Sequence, residues 1–307
     1  MHPMPMPMPM PMPPPAEGGP APRQLLGPRQ VRELLAGAGL VPRRHLGQNF
    51  VVDANTVRKV VRDAGVAPGD LVVEVGPGLG SLTGALRAAG AEVVAVDVDP
   101  GMVGVLREQF ALDERDADPG VRIVLADAVT VDHAALTGGR RAALVANLPY
   151  NVATPIVVQA LEAGAYDRLL VMVQKEVGQR WAARVGDPLH AGVSVKLAAM
   201  AEVKVVARVA RSAFYPVPRV DSVTVSLRPR PWDLPVPRER LFALVNAGFA
   251  QRRKRLRNAL ATGGWGPTTV EVALREVGLD VGARAEELEL SAWAALGVAL
   301  PPASDRP

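Results

Sequence analysis

With 307 residues, 49% of them hydrophobic, the chain is long enough to bury one large core and a smaller one. It contains no cysteine, which excludes disulfides and thiolate metal sites. None of its four histidines lies at metal-ligand spacing from another, so we expect no metal and a cytoplasmic location. A formal net charge of +4 favours a polyanionic partner. The sequence has no run of about twenty apolar residues, so we expect no membrane-spanning helix.

The first 29 residues predict a disordered tail to which we assign no function. Residues 1–23 alternate Met and Pro and then become rich in Pro, Gly and Ala. Repeated proline interrupts the apolar helix that a signal peptide requires, so a disordered or polyproline-II segment is expected. Ordered structure is expected from Gln30 onward, where apolar residues first appear at helical spacing.

A glycine-rich turn between a strand and a helix predicts the first crossover of a doubly wound α/β sheet. The apolar strand Leu71–Val75 leads into the glycine-rich turn 76–80, and Ser81 begins a helix. The next strand ends at Asp97, about twenty residues further on, where a carboxylate can accept both ribose hydroxyls of a nucleoside cofactor. Glu74 suits a cationic amino-acid group and repels phosphate, so S-adenosylmethionine fits better than a dinucleotide. A purely structural turn is the alternative.

Two further strands also end in polar residues. The strand Val121–Leu125 is followed by Asp127, which could accept a hydrogen bond from an adenine amino group or could simply cap a helix. The strand Ala142–Ala146 leads into Asn147-Leu148-Pro149-Tyr150. There, an amide oxygen and a turn carbonyl can accept hydrogen bonds from an exocyclic amine, and Tyr150 can stack on the ring. An ordinary turn is the alternative.

Two loops combine aromatic residues with prolines or polar residues. Residues 43–51 place basic and amide side chains next to Phe50, which suits a clamp over a cofactor or nucleic acid, or else a solvated loop. Residues 213–220 contain two prolines, which can stiffen the loop and present Phe214 or Tyr215 as a fixed ring. A hydrophobic plug beneath the loop explains the same pattern.

Four prolines between Arg228 and Arg238 mark a domain boundary. We therefore predict a methyl-donor-binding domain over residues 30–229 and a helical domain over residues 230–307. In the second domain, helical spacing leads into a basic run that we expect on a helix: Arg252, Arg253, Lys254, Arg255 and Arg257. Like charges so close destabilise an isolated helix, which favours phosphate contact over a merely solvated face.

Taken together, these motifs resemble those of the small-subunit (16S) rRNA adenine N6-dimethyltransferases, relatives of the erythromycin-resistance methyltransferases and the mitochondrial transcription factor B proteins. The resemblance runs from about Arg44 to Leu260 and is carried in order by residues 46–50, 73–78, 147–150, 173–177, 214–218 and 251–254. It implies a class I Rossmann-like methyltransferase sheet with a small helical C-terminal domain. It also implies methyl transfer from S-adenosylmethionine to N6 of two adjacent adenosines near the 3′ end of 16S rRNA, in small ribosomal subunit particles.

The resemblance also implies roles for individual residues. The cofactor residues would be Asn49, Val51, Gly76, Asp97, Asp127 and Asn147. The catalytic residues would be Asn147, Leu148, Tyr150 and Phe214, with the basic run binding RNA and the protein acting as a monomer. Two positions depart from the family pattern: Asp97 stands where Glu is usual, and Val51 stands where Leu is usual. Neither change removes the expected contact.

Three functions remain open at this level. The first is dimethylation of small-subunit rRNA during ribosome biogenesis. The second is methylation of large-subunit rRNA that confers macrolide resistance, and the third is a binding factor for ribosome assembly or transcription on the same fold. Leu148, where the resistance enzymes would suggest Ile, and the basic run favour the first.

Overall fold

The structure is a computed structural model that describes residues 25–43, 47–110 and 119–303. The expected tail up to residue 24, and residues 44–46 of the predicted clamp, lie outside the described residues. Among the helices that the structure describes, none is long and apolar enough to cross a membrane.

Nine described strands form two sheets. The bounds are β1 (Phe50–Val51), β2 (Leu71–Val75), β3 (Glu92–Asp97), β4 (Val121–Leu125), β5 (Ala142–Asn147), β6 (Tyr166–Gln174), β7 (Ala201–Val209), β8 (Phe214–Tyr215) and β9 (Ser222–Pro229). The main sheet has the order β4-β3-β2-β5-β6-β9-β7. Strands β2 to β6 are parallel, whereas β9 is antiparallel to both β6 and β7. The five parallel strands therefore end at one edge, where ligands bind in such sheets.

Helices cover both faces of this sheet and continue beyond it. Those of the sheet region are α1 (Pro28–Gly37), α2 (Ala54–Asp63), α3 (Ser81–Ala88), α4 (Pro100–Gln109), α5 (His133–Thr137), α6 (Ala153–Ala163), α7 (Lys175–Ala182) and α8 (Gly192–Met200). The C-terminal ones are α9 (Arg238–Ala250), α10 (Leu256–Thr262), α11 (Pro267–Glu276) and α12 (Leu290–Ala299). The α/β class and the Rossmann-like sheet predicted from the sequence are confirmed.

Alternate residues of the central strands enter two different cores. Val73 and Leu144 lie in the cluster on one face of the sheet, whereas Val72 and Val145 lie in the cluster on the other. Side chains of a strand alternate between faces, so helices on both sides leave the strand buried throughout and its sequence continuously apolar. This explains why such short apolar runs identified the strands.

The C-terminal helices surround a separate core that includes Leu241, Leu274 and Trp293. Helix α8 joins this core to the sheet, because its Val195 packs with the C-terminal cluster while its Leu197 packs against the sheet. The domain boundary at residue 230 remains a prediction. It falls in the segment between β9 and α9, which connects the sheet to the C-terminal helices.

The prediction that the basic run lies on a helix is wrong. Helix α9 ends at Ala250, Gln251 leaves the helical region with φ −128° and ψ 61°, and α10 begins at Leu256. The basic turn, residues 252–255, therefore connects two helices, and Arg257 lies in the first turn of α10. Like charges at helical spacing repel one another. The turn is instead stabilised by Leu256, which is fully buried and donates its N–H to the Ala283 carbonyl at 2.8 Å.

Candidate active site at the carboxyl edge of the sheet

An open cleft lies where β2, β3 and β5 end, beneath the loop that precedes β1. Five of the six residues predicted to bind a cofactor line it: Asn49, Val51, Gly76, Asp97 and Asn147. The described lining also includes the carboxyl groups of Glu74 and Asp99 and contains no Lys or Arg. The electrostatics of the cleft therefore favour a cationic ligand over a phosphate.

The glycine turn forms the floor of the cleft and requires glycine. Gly76 and Gly78 have φ values of +68° and +57°, in the left-handed region. A Cβ at Gly78 would lie 2.9 Å from the ring of Phe50, which is itself buried. A side chain at this position would thus displace β1, so the glycine permits both the turn and the close packing of the loop above it.

Burial changes the acidity of two carboxyl groups at the cleft. Burial raises the pKa of Asp97 to about 6, although the Asp99 N–H donates a hydrogen bond to its carboxylate at 2.9 Å. Burial raises the pKa of Glu74 to about 8, against the opposing effect of a 2.6 Å hydrogen bond from the Thr83 hydroxyl. Near neutral pH, Asp97 is therefore mostly ionised, whereas Glu74 is mostly neutral. A bound cation would favour the ionised form of both groups.

Asn147 is oriented by Asn49, in the loop that precedes β1. Its Nδ2 donates to the Asn49 carbonyl at 2.8 Å, which leaves Oδ1 as an acceptor to which no described residue donates. The next peptide is fixed as well, because the Leu148 N–H donates to the Met172 carbonyl at 3.0 Å and the Leu148 side chain is buried. The arrangement leaves two oxygen atoms, Asn147 Oδ1 and the Leu148 carbonyl, available to accept hydrogen bonds from an amine.

The two predicted aromatic residues have different environments. Tyr150 is half-buried and its hydroxyl lies 3.0 Å from the Ser222 hydroxyl. Phe214 is only 1% exposed, which agrees with the hydrophobic plug that was the alternative for this loop, whereas Tyr215 is half-buried. The reason for the burial of Phe214 is the short strand β8, which pairs with β1 in the register Val51↔Phe214 and turns the ring into the core. A contact of Phe214 with the target base remains a prediction.

Asp127 lies outside the described lining of the cleft. It is exposed, and its Oδ1 accepts a hydrogen bond from the Val129 N–H at 2.8 Å. This bond stabilises the turn after β4, which is close to the capping role that was the alternative for this residue. A contact of Asp127 with an adenine amino group remains a prediction.

A second layer of the site was not predicted from the sequence. Asp99 is 3% exposed, begins α4 by accepting the Gly101 N–H at 3.0 Å, and also accepts from Gln48 Nε2 at 3.0 Å. Arg43 lies 3.5 Å from the same carboxylate. Asp99 followed by Pro100 is typical of a helix start, but the contact with a loop 51 residues earlier leaves no local pattern. These bonds attach the loop to the edge of the cleft.

The cations of the basic run fall into two groups. Arg252 pairs with Glu286 at 2.6 Å and donates to the Pro188 carbonyl at 2.7 Å, and Arg257 pairs with Glu271. The remaining three are exposed, and no described residue pairs with their side chains: Arg253, Lys254 and Arg255. Within the basic run, the positive charge that is available to a partner therefore lies on three side chains of the basic turn.

A mostly parallel Rossmann-like sheet, a glycine floor, an acidic cleft and an Asn-Leu-Pro-Tyr turn define an S-adenosylmethionine-dependent class I methyltransferase. The family model of ribosomal RNA adenine dimethylase matches residues 40–295, and the chain belongs to that family. It is accordingly an enzyme that modifies RNA. The sequence-based assignment to this family is confirmed.

Several named relatives are similar over nearly their whole length. A "Ribosomal RNA small subunit methyltransferase A" of Streptomyces avermitilis is 46% identical, over 90% of this chain and 94% of that protein. The protein of the same name from Thermobifida fusca is 45% identical, over 91% and 97%. Among solved structures, the 23S rRNA methyltransferase ErmE is 28% identical with a TM-score of 0.61, over 82% of this chain and 99% of that one. A dimethyladenosine transferase from Plasmodium falciparum, at 21% identity and a TM-score of 0.66, covers 80% of this chain and 94% of that one and shows the fold alone.

Proposed function

We propose that this protein transfers methyl groups from S-adenosylmethionine to N6 of two adjacent adenosines near the 3′ end of 16S rRNA, in small ribosomal subunit particles during ribosome biogenesis. The observation that carries the chemistry is the orientation of Asn147. Its amide nitrogen is bound to the Asn49 carbonyl, which leaves its oxygen for the target amine. Family membership and the names of the relatives support the RNA substrate.

The cleft fits the cofactor through its acidic groups and its glycine floor. We assign Asp97 to the ribose hydroxyls and the backbone around Asn49, Val51 and Gly76 to the rest of the ligand, with Asp127 near the adenine. The absence of Lys and Arg from the described lining suits a ligand that carries positive rather than negative charge. When bound, S-adenosylmethionine supplies a methyl group on an electrophilic sulfonium.

The remaining chemistry concerns the target amine. The lone pair of an adenine amine is delocalised into the ring, which makes the amine a poor nucleophile. Hydrogen bonds accepted by Asn147 Oδ1 and the Leu148 carbonyl favour a pyramidal nitrogen whose lone pair is free to attack. As the new N–C bond forms and the S–C bond breaks, the amine proton becomes acidic and passes to water. Positioning and desolvation therefore supply the rate enhancement without a dedicated general base.

The target adenosine has to leave its stack to reach this turn. We assign the ring of Tyr150 as the surface on which the flipped base stacks. Phe214 acts from beneath, because its buried ring and its pairing with Val51 hold β1 in place under the cofactor loop.

The basic turn provides the contact with the RNA backbone. Arg253, Lys254 and Arg255 are exposed and have no described partners, so they can neutralise phosphates without breaking internal ion pairs. Arg252 and Arg257 bind acidic side chains of the protein and hold the turn in shape. Phosphate contacts of this kind position the RNA, while the pocket at Asn147 selects the base.

The alternatives are less well supported. The resemblance to ErmE extends over the chain, but at 28% identity it is weaker than the 46% identity to a small-subunit methyltransferase. A purely binding role leaves the acidic cleft and the oriented amide of Asn147 unexplained. We further propose that the protein acts as a cytoplasmic monomer.

Mapping methylated adenosines in the rRNA of a deletion strain tests the proposal. The strain should lack dimethylation at two adjacent adenosines near the 3′ end of 16S rRNA, and the gene on a plasmid should restore it. A change confined to large-subunit rRNA would contradict the proposal, and so would unaltered rRNA.

A further inference from the structure

The ring of Tyr150 is held from outside its own turn. Its hydroxyl makes a 3.0 Å hydrogen bond with the Ser222 hydroxyl, 72 residues away in the chain. Ser222 is fully buried at the start of β9, where it is paired with Gln174 of β6 on one side and Val209 of β7 on the other. Because two neighbouring strands fix its backbone, Ser222 is a rigid anchor for a ring that a turn alone would leave free to rotate.

The residue before Ser222 extends this anchor to two other elements. The Asp221 carbonyl accepts the Lys175 N–H at 3.0 Å, at the first residue of α7. The Asp221 carboxylate accepts the Arg211 N–H at 3.1 Å, at the start of the short 3-10 helix that leads into β8. Asp221 and Ser222 together therefore fix the start of α7, the loop before β8 and the ring of Tyr150 at one point.

These contacts form a closed circuit around the Asn-Leu-Pro-Tyr turn. Strand β8 pairs with β1, and the Asn49 carbonyl just before β1 accepts the amide of Asn147 at 2.8 Å. The contacts lead from Asn147 to β1, from β1 to β8, from β8 along the chain to Ser222, and from the Ser222 hydroxyl to Tyr150. Both ends of the turn are thus fixed, Asn147 by the loop before β1 and Tyr150 by β9. This fixes the position of the amide oxygen relative to the aromatic ring.

We propose that Ser222 is a positioning residue for methyl transfer, which holds the Tyr150 hydroxyl and so fixes the ring against which the target adenine stacks. The proposal rests on the proposed function, because that function places the adenine on Tyr150. Ser222 is not part of the described lining of the cofactor cleft. Removing its hydroxyl should therefore slow transfer through the orientation of the base and leave cofactor affinity unchanged.

Single-turnover transfer from labelled S-adenosylmethionine to undermethylated small-subunit particles tests this with the full-length protein. Ser222→Ala and Tyr150→Phe each remove one partner of the same hydrogen bond, and each should slow transfer about tenfold at saturating cofactor. The double variant should be no slower than either single variant, because both substitutions break the same bond. Cofactor affinity, measured by calorimetry, should match the wild type.

The same strand offers a matched control. Thr224 lies two residues along β9, on the same face as Ser222, and its hydroxyl is buried without a partner among the described residues. Thr224→Val removes that hydroxyl at nearly constant shape and should leave the transfer rate unchanged. A comparable slowing in Thr224→Val would mean that any change in this strand disturbs transfer, and it would overturn the proposal.

Three other results would also overturn it: Ser222→Ala at the wild-type rate, rate reductions that multiply in the double variant, or a loss of cofactor affinity that parallels the loss of rate. If Ser222→Ala does not fold, Tyr150→Phe decides alone, since slowing at unchanged cofactor affinity supports the proposal and the wild-type rate overturns it. A wild-type protein that methylates no small-subunit particle would instead contradict the proposed function, so the two failures are distinguishable.

Discussion

The cofactor cleft and the basic turn have opposite charges, and their charged groups are held in different ways. In the cleft, Asp97 is half-buried and Asp99 is buried, and both carboxylates accept hydrogen bonds, so their positions are fixed before any ligand arrives. In the basic turn, three cations extend into solvent while Arg252 is committed to an internal ion pair. The density of charge along a sequence therefore does not measure the charge that a partner can use. Burial and existing partners decide that.

The largest effect is expected where the cleft meets the target base. Asn147→Ala removes a preorganised acceptor and should lower single-turnover transfer to small-subunit particles by roughly 10²–10³-fold, with the fold intact by circular dichroism. Asn151→Ala is the control, because Asn151 is an exposed neighbour of the turn. This variant should transfer methyl groups at the wild-type rate. Near-wild-type transfer by Asn147→Ala would remove the proposed role of this residue.

Within the cleft itself, Asp97→Ala should weaken S-adenosylmethionine binding. The loss of one or two charge-assisted hydrogen bonds costs about 1.5–3 kcal/mol each. Calorimetry provides the measurement, with Asp233→Asn as a control at a carboxylate outside the described lining. Unchanged affinity in Asp97→Ala would contradict the assignment of the ribose contact.

In the basic turn, the two groups of cations should behave differently. Replacing Arg253, Lys254 and Arg255 with Gln should weaken particle binding and lower its salt dependence by roughly one slope unit for each phosphate that is no longer neutralised. Replacing the paired Arg252 and Arg257 with Gln should leave the slope unchanged and lower the free energy of unfolding by about 0–1 kcal/mol per pair. Filter-binding titrations over a range of salt concentrations give this slope, the change of log binding constant with log salt concentration, for each variant. Equal slopes for both variants would mean that the internal ion pairs do not decide which cations bind phosphate.

The smallest effect is a pH dependence that belongs to the cleft alone. The pKa of Asp97 is raised to about 6, and the ionised carboxylate is the form that accepts ribose hydroxyls. S-adenosylmethionine affinity should therefore increase as pH rises through that value, by about tenfold between roughly pH 5 and pH 7. Asp97→Asn should abolish this increase. Affinity that falls over the same range would show that the neutral form binds.

Residues at the ends of parallel strands could be predicted from the sequence. Asp97 and Asn147 follow apolar runs of strand length, and because parallel strands end at one edge, their meeting in one cleft follows from the topology. The glycine turn was equally predictable, since positive φ values limit the residues that a tight turn accepts.

Contacts between distant segments could not be predicted. The burial of Phe214 depends on the pairing of two strands of two residues each, too short to leave a periodic signal. The bond between Gln48 and Asp99, and the ion pair between Arg252 and Glu286, join residues that no local pattern relates. The helix prediction for the basic run fails for the same reason, because its helical spacing continues through a turn that is held by a carbonyl of Ala283.

Locating the methyl groups that the purified protein adds gives the most direct test of the proposed function. Undermethylated small-subunit particles and large-subunit particles would be incubated separately with the protein and labelled S-adenosylmethionine, and the modified nucleosides would be mapped on each rRNA. We expect N6,N6-dimethyladenosine at two adjacent positions near the 3′ end of 16S rRNA, formed roughly 10²–10³-fold more slowly by Asn147→Ala. Methylation confined to large-subunit rRNA, or transfer to small-subunit particles by Asn147→Ala near the wild-type rate, would contradict the proposed function.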